Sequence, residues 1–87
     1  MSTVQAWVLQ VADFKLQENL AANALTQSLR KKGYKAYTRQ VNLPTGSVIQ
    51  VFVGPEIKLS KIKTLANMLK QETQLNPQII AFNPLIL

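Results

Sequence analysis

The side chains best suited to bind a polar ligand alternate with apolar residues along three stretches of the sequence. Gln10 lies in the first stretch, Tyr37 and Arg39 lie in the second, and Gln50 and Phe52 lie in the third. An amide both donates and accepts hydrogen bonds, an arginine pairs with carboxylates, and aromatic rings stack on the apolar faces of sugars. Together these residue types favour binding of a hydroxyl-rich ligand.

Catalysis is the function class that the composition supports least. The chain contains no cysteine and no histidine, which removes thiolate nucleophiles, serine–histidine chemistry and the usual metal ligands. Its four carboxylates are Asp13, Glu18, Glu56 and Glu72, and their spacing pairs no two of them on one strand or helix. We therefore expect a binding domain that has no enzymatic activity and holds neither a metal nor a cofactor.

The length and charge of the chain limit its architecture and its partners. A chain of 87 residues can bury one two-layer core, and no apolar run approaches the roughly 18 residues of a membrane span. Ten lysines and arginines against four carboxylates give a net charge of +6, which favours an anionic partner; a merely solubilising surface is the alternative. We expect an excised domain at residues 6–83, with 1–5 as a linker or expression remnant and 84–87 as a tail.

Alternating apolar residues predict four strands, at residues 6–12, 34–41, 48–55 and 78–82. Residues 13–15 are expected to form a turn, residues 42–46 a hairpin turn, and Gly54-Pro55 the end of the third strand.

The period of two assigns a face to each strand residue. The face toward the core is expected to hold Trp7, Leu9, Val11, Ile49, Val51 and Val53. The other face is expected to hold Val8, Gln10, Ala12, Val48, Gln50 and Phe52, and to stay half-open. In the last strand, either Ile79 with Ala81 or Ile80 with Phe82 faces outward.

Helical spacing of apolar residues predicts two helices. The first, at residues 17–32, has an apolar stripe of Ala21, Ala22, Leu25 and Leu29 and ends at Gly33. The basic triplet at 30–32 suits the negative end of the helix dipole, and contact with an anion is the alternative. The second helix, at 60–71, has Ser60 as its N-cap and a stripe of Ile62, Leu65, Ala66 and Leu69.

Two helices with one apolar stripe each can cover only one face of a four-stranded sheet. The order β-α-β-β-α-β therefore predicts an α+β fold, a two-layer sandwich of an antiparallel sheet and two helices, of the ferredoxin-like or RNP-like kind. The uncovered face is the expected site.

Three local patterns, in this order, resemble the SPOR domain, a small module of bacterial envelope proteins. They are Trp-Val-Leu-Gln-Val at residues 7–11 followed by Phe14, Leu-Arg-Lys-Lys-Gly-Tyr at 29–34, and Val-Phe-Val-Gly-Pro at 51–55. The resemblance covers about residues 6–82 and is greatest to DedD-type members of the family, in which an acidic residue tends to follow Gly-Pro, as Glu56 does here.

The resemblance implies non-catalytic binding of peptidoglycan glycan strands that lack stem peptides, and hence targeting of the parent protein to the division septum. It implies a periplasmic domain of a protein with an inner-membrane span elsewhere, with other division proteins as further partners and no nucleic acid. In the family the open sheet face holds the glycan. The expected glycan-binding residues are Gln10, Asp13, Tyr37, Arg39, Val48, Gln50 and Phe52.

The sequence departs from the family pattern at three places. Ala12-Asp13 replaces the usual Gly-Ser, Ile49-Gln50 replaces a frequent Tyr-Arg, and Glu56 replaces a frequent aromatic residue. These departures bear on the sugar contacts rather than on the fold.

Two further function classes share this architecture. A single-stranded RNA-binding module would have the same element order, but residues 47–54 do not match the RNP1 signature expected in its third strand. A protein-interaction module would use a sheet edge or the apolar tail.

Overall fold

The computed structural model describes residues 5–82, with Phe82 described through its backbone alone. Its elements are β1 (Ala6–Lys15), a 3₁₀ turn (Leu16–Glu18), α1 (Asn19–Lys31), β2 (Ala36–Leu43), β3 (Gly46–Glu56), α2 (Leu59–Thr73) and β4 (Gln78–Phe82). The predicted tail and residues 1–4 of the predicted linker lie outside the described residues. Within the described range, neither helix has the length and hydropathy that crossing a bilayer requires.

The four strands form one antiparallel sheet in the order β2-β3-β1-β4. Both helices pack on the same face of this sheet, against residues such as Leu9, Val51 and Val53. The predicted α+β sandwich, with two helices on one face, is therefore confirmed.

The helix stripes supply the other half of the core. Ala22, Leu29, Ile62 and Leu69 are almost completely buried against the sheet. The prediction for Ala21 was wrong because the helix turns this residue into solvent, and Thr26 occupies the buried position instead. The Thr26 hydroxyl satisfies its hydrogen-bonding need by donating to the Ala22 carbonyl oxygen at 2.8 Å.

One predicted helix end is correct and one is wrong. Gly33 follows α1 with a φ of +94°, the left-handed conformation that glycine adopts without strain. Helix α2, in contrast, begins at Leu59 after Lys58, without a side-chain cap, so Ser60 is not its N-cap. A serine can cap only from the position just before the helix, and here it already lies within the first turn.

The central strands are longer than the turn signals suggested. β1 continues through residues 13–15, and β3 continues past Gly54-Pro55 to Glu56, which pairs with Trp7. A shift in register between Trp7 and Leu9 accommodates the extra residue on β3, so the proline does not end the ladder. The hairpin turn between β2 and β3 is tight, because the last residue of β2, Leu43, lies opposite the first residue of β3, Gly46.

A second shift in register lies at Val11 and decides which residues share the helix-free face. Gln10 is opposite Phe52 and Ala12 is opposite Val51, so β1 contains one residue more than β3 at this point. The extra residue reverses the alternation, and Ala12 packs toward the core, contrary to prediction. Asp13 consequently falls opposite Gln50, on the face without helices.

Tyr34 lies before β2 and turns into the core, although the sequence suggested that it belongs to the strand. Its side chain is 7% exposed, and its hydroxyl makes no hydrogen bond within residues 5–82. Burial, followed by the influence of the Glu72 carboxylate, raises the pKa of Tyr34 above the ordinary value of 10.0. The raised pKa favours the neutral phenol in the folded state.

We expect Tyr34→Phe to increase the free energy of unfolding by about 1 kcal/mol, because a buried hydroxyl without a partner costs about 1–3 kcal/mol. Because the pKa of Tyr34 is higher in the folded state than in the unfolded state, the linked contribution to the stability of the wild type is fully present below pH 10.0. This contribution is lost as the pH rises through the folded-state pKa. Urea denaturation at neutral pH and above pH 10.0 should show that Tyr34→Phe lacks this loss. A decrease in stability of 1 kcal/mol or more at neutral pH would indicate instead that the hydroxyl bonds to Glu72.

Candidate functional site

Polar and aromatic side chains form cross-strand rows on the helix-free face of the sheet. Residues opposite each other in register share a face, so the pairing of the strands defines these rows. One row is Gln78, Gln10, Phe52 and Tyr37; the next is Asp13, Gln50 and Arg39; a third, toward the hairpin, is Lys15, Val48 and Val41.

The first two rows border a groove with a volume of about 460 Å³. Most of its floor is apolar, and β1, β2 and β3 each contribute one amide or charged group, whereas β4 contributes an aliphatic side chain. It is lined by Val8, Gln10, Tyr37, Arg39, Gln50, Phe52, Pro55 and Ile80. Such a combination suits a ligand that has both apolar faces and hydrogen-bonding groups.

Tyr37 and Phe52 form a stacked aromatic pair in this groove. Their ring centroids are 5.5 Å apart and the ring planes differ by 24°. Phe52 is only 7% exposed, so this part of the face is less open than the sequence suggested, and Phe52 supports the half-buried Tyr37. Burial raises the pKa of Tyr37, although the Arg39 cation lowers it, so at neutral pH Tyr37 is a neutral phenol that donates and accepts hydrogen bonds.

Gln10 and Asp13 form a polar corner beside the groove. The Gln10 Nε2 donates to Asp13 Oδ1 at 2.7 Å, a contact that exists because the register shift at Val11 places both side chains on one face. They line a smaller depression of about 140 Å³ with Asn76 and Gln78. Since a carboxylate only accepts hydrogen bonds, this corner is suited to ligand hydroxyl or amide N–H groups.

The face carries opposite charges on different strands. Asp13 on β1 and Arg39 on β2 are both opposite Gln50, two strand spacings or roughly 10 Å apart. An extended ligand can therefore place a donor group near Asp13 and a carboxylate near Arg39.

The structure brings together most of the predicted site residues. Gln10, Tyr37, Arg39, Gln50 and Phe52 line the groove, and Asp13 adjoins it through Gln10. Val48 shares the face but lies one row closer to the hairpin, beside a separate depression with Lys15 and Ser47.

The sequence-based list of site residues omitted Val8, Pro55 and Ile80, which also line the groove. The alternation of β1 already placed Val8 beside Gln10, but nothing in the sequence placed Pro55 here. Ile80 is opposite Val8, which decides the open question for β4, where Ile79 points toward the helices.

Each of the four carboxylates has a different neighbour. Asp13 accepts from Gln10, Glu18 Oε1 accepts from the Lys15 backbone N–H at 2.9 Å, and Glu56 pairs with lysines. Glu72 lies near Tyr34.

Comparison with known families assigns this fold. The model of the SPOR domain family matches residues 3–81, nearly the whole chain. The chain belongs to the SPOR domain family. It is 28% identical over 82 residues to the cell division protein DedD of Escherichia coli K12, a match that covers 94% of this chain and 36% of DedD. The chain thus spans about a third of the length of this relative.

Two solved structures are similar to this SPOR domain. The peptidoglycan binding domain of the B. subtilis cell wall lytic enzyme CwlC superposes with a TM-score of 0.70, covering 94% of this chain and 95% of that domain. Its identity is 22%, so the likeness shows a shared fold. The Spor protein DedD superposes with a TM-score of 0.65 and 28% identity, covering 92% of this chain and 40% of that one.

The three departures from the family pattern occupy different places in this SPOR domain. Asp13 and Gln50 are opposite each other on the helix-free face, where Gln50 lines the groove and Asp13 adjoins it through Gln10. Glu56 instead contacts Lys61 of α2, on the helix side, which excludes it from the groove. The departures at Asp13 and Gln50 therefore lie at or beside the groove, and the departure at Glu56 lies away from it.

Proposed function

We propose that this SPOR domain binds peptidoglycan glycan strands in the groove on its helix-free face and does not cleave them. The observation that carries this proposal is the shared lining of the groove by Gln10, Tyr37, Arg39 and Gln50 over an apolar floor. Sugar rings present apolar faces for Tyr37 and Ile80, and their hydroxyl and acetamido groups match the two amides. The similarity to a peptidoglycan binding domain and to DedD supports the same assignment.

The preferred form of the strand is one that lacks stem peptides. A stem peptide is joined to the lactyl group of muramic acid through an amide, and an amidase that removes the peptide leaves a free carboxylate. Arg39 provides a cation at the groove for this carboxylate, and a charge-assisted hydrogen bond is about twice as strong as a neutral one. Asp13 lies about two strand spacings from Arg39, and its negative charge disfavours a carboxylate of the ligand beside it. The two charges therefore favour one direction of the glycan strand in the groove.

The biological role that follows is targeting of a larger protein. Strands without stem peptides arise where amidases separate daughter cells, and a domain that prefers them concentrates at the division septum. We propose that the domain acts in the periplasm as part of an inner-membrane protein of the DedD kind. Other division proteins are further partners in this proposal.

Binding to whole sacculi before and after amidase treatment tests the proposed function. We expect the domain to bind more after treatment, because the treatment creates the carboxylates that Arg39 can pair with. The Arg39→Gln variant should bind treated and untreated sacculi equally. If amidase treatment leaves wild-type binding unchanged or abolishes it, the preference for strands without stem peptides is wrong.

RNA binding is the alternative that the same experiment can address. An RNA platform of this architecture stacks bases on two or three exposed rings, whereas Phe52 here is 7% exposed. A labelled oligonucleotide should therefore fail to displace the domain from sacculi at about 0.15 M salt.

A further inference from the structure

The charged side chains are distributed unevenly between the two ends of the domain. One end comprises the end of α1, the start of β2, the end of β3 and the start of α2. It contains six cations and one carboxylate, Glu56. We call this set the basic end: Arg30, Lys31, Lys32, Lys35, Lys58 and Lys61. The opposite end, with the end of β1, the start of α1 and the end of α2, holds Lys15, Lys70, Asp13 and Glu18. Glu72 lies near Tyr34, and Arg39 and Lys63 belong to neither set.

Contacts within the basic end hold its segments together. Glu56 Oε1 is 3.8 Å from Lys35 Nζ, and Glu56 Oε2 is 3.7 Å from Lys61 Nζ. The Gly54 N–H also donates to the Lys35 carbonyl oxygen at 3.0 Å. The Glu56 side chain is 13% exposed while the two lysine side chains are 72% and 64% exposed, so this end presents cations to solvent.

Exposed aliphatic side chains lie between these cations. Ile57 is 76% exposed and Leu59 is 37% exposed, and they alternate in sequence with Lys58. Helix α2 also begins here without a side-chain cap and without an acidic residue in its first turn. A soluble polyanion needs only the cations, whereas a bilayer interface uses both the cations and the aliphatic groups.

We propose that the basic end binds the surface of an anionic phospholipid membrane, with lysines at the lipid phosphates and Ile57 and Leu59 among the headgroups. This inference goes beyond the proposed glycan binding and does not depend on it. None of the six cations of the basic end lines the groove on the helix-free face. One domain can therefore contact a glycan strand and a membrane surface together.

Vesicle sedimentation tests this proposal on the purified chain. Vesicles of 30% phosphatidylglycerol in phosphatidylcholine should retain the domain at low salt, and vesicles of phosphatidylcholine alone should not. Lys32→Gln with Lys58→Gln, two lysines outside the Glu56 ion pairs, should weaken retention about 25-fold, since each lysine near an anionic surface contributes about fivefold. The matched control, Lys15→Gln with Lys70→Gln, has the same net charge and should retain most of the binding.

Two further variants distinguish a membrane from a soluble polyanion, and the basic end from the glycan groove. Ile57→Ser should weaken binding to vesicles several-fold and leave binding to soluble polyphosphate unchanged. Gln10→Ala should leave vesicle binding unchanged, so failure of this proposal is distinguishable from failure of the glycan site. The proposal would be overturned by an absence of vesicle binding or by equal losses of binding in the two double variants. It would also be overturned if Ile57→Ser had no effect on vesicle binding, and that result would favour an anionic polymer as the ligand.

Discussion

Replacing Gln10 with alanine should reduce binding to amidase-treated sacculi about tenfold or more while changing the free energy of unfolding by less than about 1 kcal/mol. The Gln10 amide lines both the groove and the depression that contains Asp13, so its loss removes contacts on two sides. It also leaves the Asp13 carboxylate without the 2.7 Å hydrogen bond that holds it in place. The side chain lies on the face away from the helices and does not belong to the hydrophobic core between the helices and the sheet.

Gln40→Ala is the matched control for this variant. Gln40 is exposed on β2 and is opposite Ile49, on the helix side of the sheet. Sacculus pelleting and urea denaturation should therefore give wild-type values for Gln40→Ala. Equal losses of binding for the two variants would mean that the glycan does not lie in the groove. A large loss of stability for Gln10→Ala would mean that Gln10 has a structural role.

Long-range architecture was predictable because it depends on periodicity. The stripes of α1 and α2 repeat at helical spacing, and the apolar residues of β3 alternate with period two, so each element carries its own signal for the buried face. Two stripes and four strands then leave one face of the sheet uncovered. An error at a single residue, such as Ala21, leaves this conclusion unchanged.

Register shifts could not be predicted from the same patterns. The extra residue at Val11 is specified by the pairing of β1 with β3, and the sequence of β1 alone does not contain that information. Its consequence is large, because it moves Ala12 to the core and brings Asp13 to the site. The turn-forming character of residues 13–15 was overridden by this pairing.

The depth of the site was also not predictable. The sequence indicated that Phe52 shares a face with Gln10 and Gln50, but not that stacking with Tyr37 leaves it 7% exposed. Exposure depends on neighbours from several strands, and Pro55 reaches the groove only because β3 continues past Gly54. Side-chain alternation identifies a face, whereas tertiary packing decides which of its residues a ligand can reach.

Gly54→Ala should lower the free energy of unfolding by about 2–4 kcal/mol, the sum of backbone strain and steric overlap. Gly54 has a φ of +131°, which a residue with a side chain rarely adopts. A Cβ at this position would also lie 3.2 Å from the Trp7 carbonyl oxygen, a backbone atom of the neighbouring central strand. A side-chain rotation cannot relieve this close contact, because the backbone of β1 would have to shift by a few tenths of an ångström.

Gly46→Ala separates these two causes. Gly46 has nearly the same φ, +130°, but a Cβ there would meet nothing within 4 Å. Its substitution should therefore cost only the backbone strain, about 1–2 kcal/mol, and urea denaturation of both variants should give a difference of about 1–2 kcal/mol. Equal costs would show that φ alone requires glycine at residue 54. A larger cost at Gly54 would show that the close approach of β1 and β3 contributes, and this approach holds Pro55 beside Val8 in the groove.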